Sequence, residues 1–113
     1  VADLSFISLT LVLPALSAVS KPDADFLLMV KPQFEVGRER LGAGGVVRDP
    51  ALRKSAVMEV AMSAYDVGLG TKGVVASSLP GPAGNVEYFL WLKRGAQEIS
   101  ESALEQAIEI GPQ

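Results

Sequence analysis

Among the acids and bases of this sequence, three stand where expected strands begin or end and could handle a proton at a nucleophile: Asp3 in VADLSF, Lys31 in FLLMVKPQFE and Glu87 in GNVEYF. The chain has no histidine and no cysteine, so a His-based triad, a thiolate, a disulfide and a zinc centre have no material. No metal is expected. What remains is an amine flanked by carboxylates: the amine can accept or share a proton, and the carboxylates can hold and orient its ammonium form. Lys31 poses the sharpest question. Apolar residues 26–30 run up to it and Pro32 forbids a simple continuation of the element. A charge is seldom wholly buried without a partner, so Lys31 either reaches solvent or sits at a strand mouth beside acids.

The elements that must position these residues alternate strand and helix. Residues 1–3 read as the tail of a strand, followed by a helix capped at Ser8, running to about Ser20 and broken near Pro14. The stretch 25–30, apolar from Phe26 onward, suits a central strand covered on both faces. A long loop, 31–48, carries Gly37, Gly42, Gly44 and Gly45. Asp49 as N-cap and Pro50 at the first helical position then open the clearest helix. Leu52, Ala56, Val60, Ala64 and Val67 form its buried stripe and Gly68 closes it. Residues 73–78 and 86–92 read as strands joined by the turn cluster PGPAGN, and Ser102 with Glu105 suggests a capping box on a last helix ending at Ile110. This order implies an α/β fold whose last two strands form an antiparallel hairpin. Ligands in open α/β sheets bind beyond the carboxyl ends of the strands, where Asp3 and Lys31 end theirs. Glu87 stands at the start of an antiparallel strand, so it faces the same crevice.

With 113 residues the chain is at most one domain, and 49% hydrophobic residues with a mean hydropathy of +0.30 is high for a free-standing one. Residue 1 is Val and enters directly on a strand, so we expect a fragment of a larger fold. The uncharged run 4–20 resembles a secretory core, but Asp3 stands where basic residues should precede it. It is also short of the ~20 residues of a spanning helix, and it contains Pro14. A buried helix is the better reading, and no stable membrane association is expected. The net charge is −3, yet residues 31–54 hold six basic side chains against three acidic ones. Such a local basic surface suits a polyanion on an otherwise acidic protein.

The motifs DLSFISL, VKPQFEVGRE, GGVVRDP and SLPGPAGNVEYFLWL occur in this order, and together they resemble the TlyA-type haemolysin family, itself similar to the FtsJ class of S-adenosylmethionine-dependent ribosomal RNA 2′-O-ribose methyltransferases. The resemblance covers residues 1 to about 94. It implies the C-terminal half of a Rossmann-like class I methyltransferase sheet, mostly parallel with a terminal antiparallel hairpin. Residues 1–94 would be the C-terminal portion of the methyltransferase domain, and 95–113 a short acidic helix or tail. The family's Lys-Asp-Lys-Glu tetrad implies catalytic roles for Asp3, Lys31 and Glu87. Its first lysine, its glycine-rich cofactor loop and its S4-like RNA-binding domain would lie upstream. The cofactor implied is S-adenosylmethionine, met in this chain by Asp3, Leu4 and Ser5. The partner implied is ribosomal RNA or a ribosomal subunit, and the location the cytoplasm. On this reading the fragment alone is inactive.

The tetrad makes chemical sense. A ribose 2′-hydroxyl is a poor nucleophile and must lose its proton as it attacks a sulfonium methyl. Desolvation of Lys31 favours the amine that accepts this proton, whereas Asp3 and Glu87 favour the ammonium, so their role is orientation. Arg38, Arg40, Arg48 and Asn85 are candidate RNA contacts, although a solvated loop surface explains the arginines and turn duty explains Asn85. LGAGGVV lacks the leading strand and the following GK[ST] of a phosphate loop. Tyr88, Phe89 and Trp91 alternate as core residues do rather than as base-stacking platforms. Two alternatives to the enzyme remain, a membrane-lytic haemolysin and a non-catalytic RNA-binding module. The acids beside Lys31 argue against the module, which has no need of them.

Overall fold

A computed structural model describes residues 13, 14, 18, 25–35, 47, 49–78 and 85–111. The expected first strand and the cap at Ser8 fall outside these residues. Leu13, Pro14 and Ala18 are helical, and Leu13 is buried in the core.

Six elements follow in order: β1 (Asp25–Val30), α1 (Pro32–Glu35), α2 (Pro50–Asp66), β2 (Leu69–Ala76), β3 (Tyr88–Arg94) and α3 (Glu101–Ile110). The sheet order is β1-β3-β2. The last strand thus inserts between the first two and pairs antiparallel with both, through Phe26 opposite Leu92 and Val30 opposite Tyr88 on one side, and Ala76 opposite Tyr88 on the other. The expected hairpin of the last two strands is present. The mostly parallel sheet is not what these three strands form: β1 and β2 run in the same direction, but β3 lies between them. Periodicity cannot reveal such an insertion, because an apolar central strand reads the same whichever way its neighbours run.

The strands alternate as a sheet covered on one face requires. Leu28, Val30, Tyr88, Leu90 and Leu92 are buried beneath α2 and α3. The opposite face carries Leu27, Val75 and Trp91, all exposed. Trp91 therefore departs from its expected core role: its indole N–H donates to Asp25 Oδ1 (2.9 Å), and the Lys72 ammonium lies 5.7 Å from its ring centre. That indole hydrogen bond, and then Lys93, hold the Asp25 carboxyl below its ordinary value. Lys72 is the extra residue of a bulge between Thr71 and Gly73.

Helix α2 begins as expected, with Asp49 Oδ1 accepting the Ala51 N–H at 2.9 Å and Pro50 in the first turn. Its buried stripe is broader than the sequence suggested and includes Val57, Ala61 and one charged residue, Arg53. Gly68, at φ +91°, takes the left-handed turn that releases the chain into β2. That strand starts at Leu69, four residues before the expected Gly73, and β3 runs two residues past the expected Leu92.

The cap of α3 is Ser100 rather than Ser102: Ser100 Oγ accepts the Ala103 N–H at 3.3 Å. Glu105, assigned to a capping box, instead joins Glu101 in gripping Lys54 of α2, at 2.7 and 2.8 Å. Those two bonds raise the Lys54 ammonium above its ordinary value. Pairs this exposed stabilise little, and α3 is held mainly by Leu104, which is 0% exposed in the core. We expect Leu104→Ala to destabilise the fold by about 2–5 kcal/mol in urea unfolding. A cost under about 0.5 kcal/mol, typical of a surface site, would show that α3 is an appendage.

Candidate functional site

One end of the sheet collects the chemistry. Strands β1 and β2 both finish there, and β3 begins there. Lys31 follows Val30 directly and Glu87 precedes Tyr88 directly, and Val30 and Tyr88 are register partners. The two residues therefore stand one step beyond the last pair, on neighbouring strands. On the other side, the Ser77 N–H donates to the Glu87 carbonyl at 2.7 Å. Lys31, Glu87 and Ser77 thus lie side by side across three strand ends. All three are buried, with Lys31 at 9% and Glu87 at 6% exposure. Of the two sequence readings of Lys31, the solvated one is overturned.

The break at Pro32 has a local purpose. Pro32 opens the single turn α1, which swings Gln33 back over the strand ends. Gln33 Nε2 donates to Glu87 Oε2 at 3.1 Å, across 54 residues of sequence, and both groups are buried. The bond fixes one carboxylate oxygen and leaves the other available. Gln33 Oε1 is buried without a hydrogen-bond partner among the described residues.

A second layer lies behind Glu87. Asn85 Oδ1 accepts the Val47 N–H at 2.9 Å, and Arg53 Nε donates to the Val47 carbonyl at 3.2 Å. Asn85 is 2% exposed, which leaves the expected RNA contact almost no surface, and its side chain serves a long-range tether to Val47, 38 residues away, rather than a local turn. The Tyr88 hydroxyl is buried nearby and unpaired among the described residues. Burial pushes this phenol above its ordinary value, against the opposing pull of the Arg53 guanidinium. The folded state holds the proton more tightly than the unfolded chain, so this contribution is fully present below pH 10.0 and is lost as pH rises beyond it. We expect Tyr88→Phe to move the alkaline unfolding midpoint, followed by circular dichroism, to higher pH. An unchanged midpoint would mean that the hydroxyl does not resist ionisation in the fold.

Asp3, Leu4, Ser5, Arg38, Arg40 and Arg48 lie outside the described residues. Gln33 and Arg53 were missed in the sequence. Nothing signals Gln33, since its partner is remote. Arg53 carried a signal: it lies four residues before Val57 and eight before Ala61, on the buried stripe. Among the described residues no His, Cys, Asp or Glu cluster could hold a metal ion, and no helix is long and apolar enough to cross a membrane.

Lys31 and Glu87 put an amine and a carboxylate on neighbouring strand ends, residue types that can share a hydroxyl's proton and orient its acceptor. Comparison with known proteins identifies the family. Residues 1–94 match the model of the FtsJ-like methyltransferases. The chain is 53% identical over 117 aligned positions to the 16S/23S rRNA (cytidine-2′-O)-methyltransferase TlyA of Mycobacterium tuberculosis, an alignment covering 99% of this chain and 44% of that protein. It is 32% identical over 88 positions to Hemolysin A of Brachyspira hyodysenteriae, covering 78% of this chain and 37% of that one. A solved hemolysin-named protein from Streptococcus thermophilus superposes with a TM-score of 0.88 at 34% identity, over 95% of this chain and 39% of its own. The chain therefore spans less than half the length of these relatives. On the extent of the family match and the identity to its members, the chain belongs to the FtsJ-like methyltransferase family.

Proposed function

We propose that this chain is the C-terminal portion, residues 1–94 with an acidic helical tail, of the catalytic domain of an S-adenosylmethionine-dependent methyltransferase that modifies ribose 2′-hydroxyls of ribosomal RNA in the cytoplasm. The observation that carries this reading is the placement of Lys31 and Glu87, both buried, on adjacent strand ends at one end of the sheet. Among the described residues β1 pairs on one side only, and its other edge is where the parallel strands of a larger Rossmann-like sheet would continue, beginning with the one ending at Asp3.

The described residues fit the methyl acceptor rather than the donor. Lys31 and Glu87 are hydroxyl-handling groups, and no glycine turn opening onto a helix for a nucleoside occurs among the described residues. We assign the donor contacts to Asp3, Leu4 and Ser5 and to a loop upstream. S-adenosylmethionine, when bound, supplies an electrophilic sulfonium methyl.

Lys31 does the proton work. The incoming 2′-hydroxyl hydrogen-bonds to Lys31 Nζ and passes its proton there as the oxygen becomes nucleophilic. The Glu87 carboxylate, fixed by Gln33, orients Nζ and stabilises the ammonium that forms. Burial excludes water, which strengthens both effects. Arg38, Arg40 and Arg48 are placed on the segment leaving this site, where they would meet RNA phosphates.

The test uses the natural full-length protein, ribosomal RNA or subunits, and S-adenosylmethionine tritiated at the methyl. Label should enter the RNA. No incorporation into either ribosomal subunit's RNA would remove the proposal, and membrane lysis by the same purified protein would favour the haemolysin reading.

A further inference from the structure

Both ends of the stretch between α1 and α2 are tied to residues around Glu87. At its start Gln33 holds the Glu87 carboxylate at 3.1 Å. At its finish Val47 is held twice: its N–H donates to Asn85 Oδ1 at 2.9 Å, and its carbonyl accepts from Arg53 Nε at 3.2 Å. All three members of this second grip are nearly sealed from water, with Val47 at 1%, Asn85 at 2% and Arg53 at 4% exposure. Val47 belongs to no helix or strand, so these side chains replace the ladder partners its backbone would otherwise need.

The presence of Arg53 calls for an explanation. It lies on the buried stripe of α2 with Val57 and Ala61, where an apolar side chain would pack without the cost of burying a charge. One of its nitrogens, Nη1, has no hydrogen-bond partner among the described residues. Packing alone would select against a guanidinium at this position. What it supplies is a rigid cation whose Nε reaches from the helix layer to the Val47 carbonyl, with the Tyr88 hydroxyl also within its pull.

We propose that Arg53 and Asn85 are positioning residues that grip the C=O and the N–H of Val47, and so brace the Asn85–Glu87 strand entry against α2. This rests on the methyl-transfer reading given above. Asn85 lies two residues before Glu87, so the brace and the carboxylate belong to one strand entry, while Arg53 anchors them to α2. Releasing Val47 leaves a buried N–H and C=O that seek water, and Asn85 loses the partner that fixes it. Glu87, two residues further along the same strand entry, shifts with Asn85, and Lys31 loses its orientation. The loss falls on turnover, because what shifts is the carboxylate.

The test compares Arg53→Met, Arg53→Lys and Asn85→Ala in the full-length protein, with Glu87→Gln alongside, by tritiated methyl transfer to ribosomal RNA and by thermal unfolding. Methionine keeps the packing but leaves the buried Val47 carbonyl without its donor, so Arg53→Met should stay folded and unfold a little below the wild-type temperature. Its kcat should fall about tenfold or more, with KM for RNA within about twofold, as misplacement of a reacting group implies. Arg53→Lys, which retains a donor, should recover kcat to within about threefold of wild type. A folded Arg53→Met enzyme with wild-type kcat overturns the proposal, as does a rise in KM for RNA at unchanged kcat. Should Arg53→Met not fold, Asn85→Ala is judged by the same kcat and KM criteria. Glu87→Gln at the wild-type rate sinks the methyl-transfer reading instead, and is scored separately.

Discussion

Replacing Lys31 by alanine in the full-length protein should lower methyl transfer by at least about a hundredfold while leaving cofactor affinity nearly unchanged. Two effects add in this expectation. A positioned proton acceptor contributes ~10²–10⁴-fold, and loss of the amine also frees the hydroxyl from its in-line pose. Lys31 is buried one residue past β1, and the buried Glu87 stands one residue before β3, just beyond the Val30–Tyr88 register pair. Lys31→Arg should not rescue turnover. A guanidinium stays protonated at neutral pH, so it cannot take up the hydroxyl proton. Calorimetric titration with S-adenosylmethionine beside the kinetics separates turnover from binding. A Lys31→Ala enzyme with more than about half of wild-type kcat would leave the lysine with no share in catalysis of the kind general-base action implies.

Glu87 carries the second large effect, and its two substitutions should differ. Glu87→Gln keeps an oxygen to accept from Gln33 Nε2, so the fold should hold while the charge that steadies the Lys31 ammonium is lost. We expect kcat to fall about ten- to a hundredfold with little change in unfolding temperature, since orientation and charge stabilisation both weaken. Glu87→Ala also strips Gln33 of its partner, and Gln33 Oε1 is already unpaired among the described residues. A buried amide left without partners costs about 1–3 kcal/mol, so this variant should lose stability as well as turnover. Equal behaviour of the two variants in both activity and unfolding would show that the carboxylate charge has no role beyond holding Gln33.

What the sequence made legible is local. The Asp49-Pro50 start of α2 rests on backbone chemistry that neighbouring residues decide, and it appears where expected. The stripe Ala56, Val60 and Ala64 follows from helical period and is buried. The co-location of Lys31 and Glu87 was also legible, because a strand's end and an antiparallel partner's beginning must face the same way. Asp3 was assigned to that crevice by the same reasoning and lies outside the described residues.

The rest was not legible, for reasons that are physical. The place of β3 between β1 and β2 depends on which edges remain free to pair, and a run such as YFLWLKR is compatible with either edge or centre. Trp91 looked like a core residue by type, but its neighbours Tyr88 and Leu92 hold the buried face, and one step of register turns the indole outward. Gln33, Val47 and Arg53 owe their roles to contacts across long separations, for which local sequence has no code. Ser102 and Ser100 both offer a hydroxyl at the start of α3, and only the path of the incoming chain chose between them.

The central claim is that Lys31 and Glu87 deliver a ribose hydroxyl to a methyl donor. Mass spectrometry of nucleosides, released by complete digestion of ribosomal RNA treated with the full-length enzyme, tests it most directly. The account predicts methylation on the ribose 2′-oxygen with the wild-type protein, and its loss with Lys31→Ala under conditions where cofactor still binds. A methyl group carried on a base atom, or 2′-O-methylation undiminished in the Lys31→Ala enzyme, would contradict it.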